Sequence, residues 1–316
     1  MTKALKWLAG PAALFALVAC EAVPPSPKPQ ARPPGLTAAM PTPTPTRSAD
    51  SLQLERYYAQ VENDLLVQGL LRQDGGGADT PFNKRQLVEN FTRIAMFNEY
   101  TERANGLTRI ESASVLRRWN KPIVMSIEFG ETVPEAKRVA DRAEIRSFTK
   151  RLSRLTNLPI RFSNRNANFH VLILHEDERR AYGPRLQKLA PGITRSALDR
   201  IVNLPRSTFC VALSQSVGRN EGSYDRALAV IRAEHPDVLR TACLHEEIAQ
   251  AMGLANDSAF ARPSIFNDDE EFGRLTSHDE LLLRILYDPR MKTGMTVDQA
   301  RPTAEVIAAE LLGGPA

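Results

Sequence analysis

One block of the sequence, C-L-H-E-E-I-A-Q-A-M-G-L-A-N-D-S at 243–258, contains closely spaced polar residues that could take part in catalysis or ligand binding. Its apolar spacing predicts a helix over about 237–252. Glu246 and Gln250 are one helical turn apart and share a face, with Glu247 beside them. Carboxylates in such a position can serve as general acids and bases or as metal ligands.

The end of this helix is predicted from Gly253. Glycine allows the backbone to leave a helix through a left-handed turn. The turn would bring Asn256 back towards the helix face that carries Glu246 and Gln250. We therefore expect these three side chains to cluster, with Glu247 next to them.

The pattern Glu-Glu-x-x-Gln-x-x-Gly-x-x-Asn-Asp, from Glu246 to Asp257, resembles the metzincin signature His-Glu-x-x-His-x-x-Gly-x-x-His-Asp. The segment 263–267 stands where the metzincin Met-turn would lie. A capped helix follows, opened by Thr276 with Asp279 or by the next pair along the chain, Ser277 with Glu280. Residues 118–290 thus resemble a metzincin-type domain. They resemble most closely an uncharacterised family of proteobacterial lipoproteins with this variant block and an L-Y-D-P-R-M ending.

The departures from the metzincin pattern decide what the resemblance implies. The three zinc-ligand positions hold Glu246, Gln250 and Asn256, and the Met-turn methionine position holds Phe266. Only Glu247 matches the acid/base residue. Zinc prefers imidazole, thiolate and carboxylate ligands, and without three strong ligands it cannot lower the pKa of a bound water. We expect no zinc and no other cofactor, with a hard cation such as calcium as the remaining candidate.

Two classes of function follow from these residues. In one, a metal-free metzincin-like domain binds or assembles other molecules, with an envelope protein or peptide as its ligand. In the other, a peptidase or other hydrolase uses Glu247 with altered metal or metal-free acid/base chemistry. The sequence does not decide whether the protein is an enzyme. A third interpretation makes Glu246 and Glu247 ordinary solvated helix residues.

The elements that must position this block are predicted from hydrophobic periodicity. Helices are predicted over 51–73, 82–104 and about 134–156. Strands are predicted over 123–130, 159–163, 169–174, 207–213 and 227–231, with a charged, less regular stretch after the third strand. The order predicts an α/β (α+β) fold with a metzincin-like mixed sheet, a long helix, the block's own helix, a C-terminal helix and additional N-terminal helices.

The cysteines predict a disulfide bond. If Cys20 carries lipid, Cys210 and Cys243 remain, and an even pair in an oxidising compartment is a disulfide candidate. The alternative is two buried thiols.

The N-terminus predicts export. Lys3 and Lys6 precede an apolar run of about a dozen residues, which is too short to span a bilayer. The run ends in Leu-Val-Ala-Cys at Cys20, which resembles a bacterial lipobox. The resemblance implies cleavage before Cys20, lipidation of its sulfur, and anchoring in the cell envelope facing the periplasm. An ordinary signal peptide or an uncleaved anchor is the alternative, and the membrane leaflet is left open.

The remaining organisation is predicted from composition. We expect a signal peptide at 1–19, a Pro-rich tether at 20–49, a helical segment at 50–117 and the metzincin-like domain at 118–316. The formal net charge is +4, and loss of Lys3 and Lys6 with the signal peptide lowers it to +2. This small charge, the export signal and the lack of a basic-aromatic motif argue against nucleic acid as a partner. The expected partner is the membrane, contacted through the N-terminal lipid.

The lipid anchor gives the first testable prediction. Replacing Cys20 with alanine removes the sulfur that would carry the diacylglyceryl group, so we expect lipid labelling with radioactive palmitate to be abolished. Labelling that survives Cys20→Ala would contradict the lipobox interpretation.

Overall fold

Runs of helices and runs of strands follow one another along the described residues. The structure is a computed structural model that describes residues 46–103, 106–216 and 222–314. Within these residues the helices are α1 (Ala49–Val67), α2 (Lys84–Met96), α3 (Glu135–Thr156), α4 (Glu176–Ala181), α5 (Gly183–Leu189), α6 (Arg195–Val202), α7 (Asp237–Gln250), α8 (Ser277–Leu286) and α9 (Val297–Leu311). The strands are β1 (Phe97–Arg103), β2 (Gly106–Ala113), β3 (Arg118–Trp119), β4 (Ile123–Phe129), β5 (Ile160–Phe162), β6 (Phe169–Leu174), β7 (Cys210–Gln215), β8 (Ser223–Tyr224) and β9 (Arg226–Arg232). The predicted α+β class is confirmed.

A five-stranded mixed sheet organises the fold, in the order β5-β4-β6-β9-β7. The first four strands are parallel, and β7 runs antiparallel to β9, from Cys210 opposite Ile231 to Gln215 opposite Arg226. The sheet therefore has two different edges, β5 and β7. Among the described strands none pairs with the outer side of β7.

Each face of the sheet is covered by helices. One face carries alternate residues such as Met125, Val171 and Ala229, which join the main core with α3, α7 and α8. The other face carries Leu172 and Val230, which pack in a second cluster beneath α5 and α6. Side chains alternate between the two faces along a strand, and both faces are covered. A continuous apolar strand such as β6 is therefore buried on both sides.

The predicted helix over 82–104 is only partly confirmed. Helix α2 has the side chains of Asn83 and Gln86 in a reciprocal capping box and ends at Met96. The backbone then becomes extended at Phe97 and continues as β1, which pairs with β2 in a hairpin. The helical assignment of 97–103 is wrong, and residue 104 lies outside the described residues. The apolar spacing that places Phe97 on the helix face is equally compatible with an extended residue after a helix end.

The stretch after β6 was expected to be irregular and instead contains three short helices, α4, α5 and α6. Glu178 bonds back to the backbone N–H of His175 at the start of α4 (2.9 Å). Thr194 accepts from the N–H of Ala197 at the start of α6 (3.2 Å). These local caps, together with apolar contacts to the sheet, stabilise helices too short to be predicted from periodicity.

Helix α1 belongs to the same compact unit as the sheet. Tyr58 of α1 is buried against Leu239 of α7. Beyond α1, which ends earlier than predicted, Leu71 donates its N–H to the carbonyl of Glu270 at 2.8 Å. Cys20 and most of the predicted tether lie outside the described residues. Within the described residues, no helix is long and apolar enough to cross a membrane.

The predicted disulfide is present and joins the edge strand to the helix of the motif. Cys210 is the first residue of β7 and Cys243 lies in α7, with their Cα atoms 5.9 Å apart. This spacing lies in the usual range for a disulfide. The bond closes a loop with a sequence separation of 33 residues. In the chain-entropy model such a loop stabilises the folded state by roughly 3–4 kcal/mol.

Replacing both cysteines with serine should therefore lower the free energy of unfolding by about 3–4 kcal/mol. The measurement is denaturant unfolding of the unchanged protein and the double variant, each with and without reductant. Reductant should destabilise only the unchanged protein. Equal unfolding midpoints for the two proteins without reductant would contradict the stabilising role.

Candidate functional site

Helix α7 presents one polar face towards the edge strand. Cys243, Glu246, Glu247 and Gln250 lie three or four residues apart, so the disulfide and the carboxylates share this face. The helix ends at Gln250, and Gly253 follows at φ +122. A Cβ at position 253 would overlap the backbone carbonyl oxygen of Arg117, so both the conformation and the space require glycine. The predicted left-handed exit is confirmed.

The carboxylates open into a pocket of about 310 Å³, here called the motif pocket. It lies between the start of β7, helix α7 and the loop that follows α7. Its ionisable lining is acidic except for one guanidinium, and consists of Glu246, Glu247, Asp257, Asp268, Glu270 and Arg200. Gln250 lies at its rim, and its side-chain amide donates to Oδ1 of Asp257 at 3.0 Å.

Of the residues expected to cluster, Glu246, Glu247 and Gln250 line the motif pocket together, whereas Asn256 does not line it. The Asn256 side chain is buried and donates to the backbone carbonyl of Arg93 at 3.0 Å, at the end of α2. The chain does swing back after Gly253, but it places the next residue, Asp257, beside Gln250. A backbone bond from the N–H of Asn256 to Ile94 fixes this register.

The segment at the Met-turn position is held by a buried carboxylate. Asp279 accepts from the hydroxyl of Ser264 at 2.6 Å and from the backbone N–H of Ile265 at 3.1 Å. It also closes the capping box with Thr276, so the first of the two predicted capping pairs starts α8. Phe266 is fully buried at the methionine position. The segment 263–267 does not line the motif pocket.

The residues present do not fit a zinc ion. Among the described residues, the group with ligand atoms close enough to share a metal is Cys210, Glu246 and Glu247, within 4.8 Å of one another. Cys210 is in the disulfide, so its sulfur is not a thiolate. Gln250 uses its amide on Asp257, and Asn256 uses its amide on Arg93. Two neighbouring carboxylates remain, which is fewer than the ligands that zinc requires.

A second pocket, of about 180 Å³, continues the first along the edge strand. Both are lined by Arg200, Val211, Ala212 and Gln250, so they form one groove along the outer side of β7, here called the edge groove. Helix α6 forms one wall, and α7 with the following loop forms the other. The second pocket is lined mainly by small and apolar side chains, including Ala197, Ile201, Leu213 and Ala255.

The acidic end of the edge groove contains a carboxyl group that titrates near neutrality. Burial, with the adjacent charges of Asp268 and Asp269, raises the pKa of Glu270 to about 7. Its folded-state pKa is thus above the value of 4.5 expected when unfolded. The protonated form therefore contributes stability below pH 4.5, and this contribution is lost as the pH rises through about 7. Above pH 7 the pocket gains negative charge.

The histidine of the block does not enter the motif pocket. His245 stacks on Phe148 with ring centroids 3.9 Å apart, and Nε2 lies 2.8 Å from Oε1 of Glu144. Its Nδ1 accepts from the backbone N–H of Leu275, so Nε2 carries the proton and donates to Glu144. Burial lowers the pKa of His245, while the bond to His245 is the main cause that lowers the pKa of Glu144 to about 2. This histidine stabilises the packing of α3 against α7.

Three carboxylates that line the groove were not predicted from the sequence. Asp257, Asp268 and Glu270 line it, and the last two belong to the acidic run that follows Phe266. That run was the available signal, because loop carboxylates close to a motif often join its pocket. The outer side of β7 could not be found from sequence, since no local pattern says which strand ends a sheet.

The described fold is an α+β domain whose edge strand, motif helix and acidic loop enclose one groove. The sequence model of the family described as "Protein of unknown function (DUF2927)" matches residues 84–305, and the chain belongs to this family. The match covers the whole five-stranded sheet and both walls of the edge groove. The comparisons with curated proteins and with solved structures found no match.

The ligand set gives a prediction about metal content. Protein purified without chelator should carry no stoichiometric zinc, because the motif pocket offers no imidazole and no thiolate. Elemental analysis of residues 50–316 measures this directly. Zinc near one atom per chain that is lost on Glu246→Ala would overturn the expectation and favour a peptidase.

Proposed function

We propose that this protein is a lipid-anchored protein of the bacterial cell envelope whose degenerate metzincin-like domain binds an extended, positively charged peptide segment without cleaving it. The peptide lies along β7 in the edge groove. The proposal combines the lipobox at Cys20, the motif resemblance and the geometry of the groove.

The observation that carries the proposal is the edge groove itself. It follows the outer side of β7, where no described strand pairs. The outer side of an edge strand presents backbone N–H and C=O groups, and an extended peptide can satisfy them by adding a strand. The walls made by α6 and α7 would provide contacts for alternate side chains of the peptide.

The opposite edge of the sheet lacks these features. Strand β5 has only three residues, Ile160–Phe162. The guanidinium of Arg146 lies 4.4 Å from the centroid of the Phe162 ring, and Arg161 is exposed in the middle of the strand. Short length and basic side chains are common devices that keep an edge from pairing. The two edges differ in the way expected if only β7 receives a partner strand.

The charge of the groove selects the kind of peptide. Five carboxylates and one guanidinium line its acidic end, whereas the other end is mainly apolar and includes the guanidinium groups of Arg117 and Arg200. A peptide with lysine or arginine at the acidic end and apolar side chains near Ile201 and Leu213 would match both ends. Electrostatic complementarity of this kind sets orientation and association rate more than total affinity.

A hydrolase remains the second candidate because Glu247 is buried in the motif pocket, where burial favours acid/base chemistry. The main difficulty is the activation of water. Zincin catalysis needs a zinc ion for this step, and the residues at the ligand positions do not fit zinc. The same peptide experiment separates the two candidates. A hydrolase would yield cleaved peptide, and the cleavage would be lost on Glu247→Gln.

The anchor and tether suggest where binding takes place. Lipid at Cys20 would hold the chain on a membrane, and the Pro-rich residues before Ser48 would act as an extended spacer. The first described helix begins at Ala49, directly after that spacer. The domain would thus reach ligands at a distance from the membrane while remaining fixed to the envelope.

The prediction concerns a labelled peptide of alternating lysine and valine. It should bind the domain, and Glu246→Gln and Asp257→Asn should each weaken binding about threefold, because a partly exposed ion pair contributes about 0.2–1 kcal/mol. Binding should weaken with added salt and strengthen as the pH rises through 7, where Glu270 ionises. Fluorescence anisotropy measures the affinity, and mass spectrometry of the recovered peptide detects cleavage.

Glu305→Gln is the matched control, since Glu305 is an exposed carboxylate on α9 that does not line the groove. It should leave the affinity unchanged. If Glu305→Gln weakens binding as much as Glu246→Gln does, the interaction reflects only net charge and the proposed site is wrong.

A further inference from the structure

A third cavity lies on the sheet face opposite α7. It has a volume of about 480 Å³ and lies between β4, β6, the loop before β6, helix α5 and the start of β9. On this face Leu172, Leu228 and Val230 pack under α5 and α6. The cavity lies beside this apolar cluster, towards β4.

The floor of this cavity is polar. Ser126 and His170 are register partners on β4 and β6, and both are buried. The Ser126 hydroxyl lies 2.7 Å from Nδ1 of His170. Burial lowers the pKa of His170, and the nearby charges of Arg185 and Arg226 lower it further against the opposing effect of Glu128. At neutral pH the floor is therefore an uncharged pair that can hydrogen-bond.

The walls of the cavity are positively charged. Arg185, Lys188 and Arg226 line it together with one carboxylate, Glu128. Arg185 is already used: its Nη2 donates to Oε1 of Glu128 at 2.7 Å, and the Tyr182 hydroxyl donates to Oε2 at 2.8 Å. The ion pair between Arg185 and Glu128 fixes the wall of the cavity that α5 forms.

Two cations are left for a ligand. Lys188 and Arg226 come from different elements and make no ion pair with any residue in the described ranges. With Glu128 neutralised by Arg185, the lining carries a formal charge of +2. The side-chain amides of Asn164 and Asn166, from the loop before β6, add neutral hydrogen-bond donors at the rim.

We infer that this cavity is a binding site for a small oxyanion group, a phosphate or a carboxylate, held by Lys188 and Arg226 above the Ser126–His170 pair. A guanidinium can hold such a group through two parallel hydrogen bonds, and an ammonium adds a point charge. The amides orient the anion, and the neutral floor accepts or donates a further hydrogen bond. The residues that line this cavity do not line the edge groove, so the site does not depend on the proposed peptide binding.

The chemistry is shared by a free oxyanion and by the phosphate of a lipid headgroup. Two arms of the experiment distinguish these sources. In the first, isothermal titration calorimetry with inorganic phosphate tests the soluble anion. In the second, cosedimentation with phosphatidylglycerol vesicles, compared with phosphatidylcholine vesicles, tests the headgroup, using protein without its N-terminal lipid.

We expect saturable binding of one probe and a loss of at least tenfold in affinity for the double variant Lys188→Gln, Arg226→Gln. Lys150→Gln, an exposed lysine on α3 at the other face of the sheet, should bind as the unchanged protein does. Unchanged thermal unfolding of the double variant would show that the loss is local. Saturable binding of neither probe, or equal affinity of the double variant and the unchanged protein, would overturn the inference.

Discussion

The attachment of strand β7 to helix α7 is the constraint on which the rest of the structure depends. The Cys210–Cys243 bond joins the first residue of the strand to the helix face that carries Glu246 and Glu247. Because β7 is the antiparallel edge of the sheet, this bond also fixes the outer boundary of the sheet relative to the helix. The groove lies where strand and helix are held side by side and where no strand of the described residues pairs with the outer side of β7.

Buried charged side chains hold the helices that flank this arrangement. Arg240 of α7 donates to Asp141 of α3 at 2.8 Å, with both side chains almost completely buried. At the end of β9, the guanidinium of Arg232 donates to Glu176 of α4 at 2.6 Å. Removing one partner of such a pair leaves an uncompensated buried charge, which is strongly destabilising. These pairs therefore specify how α3, α4 and α7 meet the sheet and keep both sides of the groove in place.

Much of the fold could be predicted from the sequence because its signals are local. The strand at 169–174 and the long helix at 135–156 follow from apolar periodicity, and the exit of α7 follows from Gly253. The failures arise where tertiary contacts override local signals. Residue 97 continues an apolar helical stripe but becomes extended because it pairs across the hairpin with Ala113.

In the candidate site, too, local signals could be read from the sequence, whereas tertiary contacts could not. The helical positions Glu246, Glu247 and Gln250 could be placed from spacing alone, since one turn of helix fixes their shared face. The position of Asn256 could not be predicted in this way. Its orientation depends on hydrogen bonds to the backbone carbonyls of Arg93 and Ile94 in α2, which is distant in sequence. A turn that differs by one residue exchanges Asn256 for Asp257 and makes the pocket more acidic. The family match extends over the groove but adds no chemistry to it.

The central claim is that the outer side of β7 receives an extended peptide. Hydrogen–deuterium exchange with mass spectrometry tests it most directly, using the domain with and without a saturating lysine-rich peptide. We expect slower exchange for backbone amides in 210–215, because a strand added there forms new hydrogen bonds, and no change at 160–162 on the opposite edge. Protection at 160–162, or binding of the peptide without any protection of β7, would contradict it.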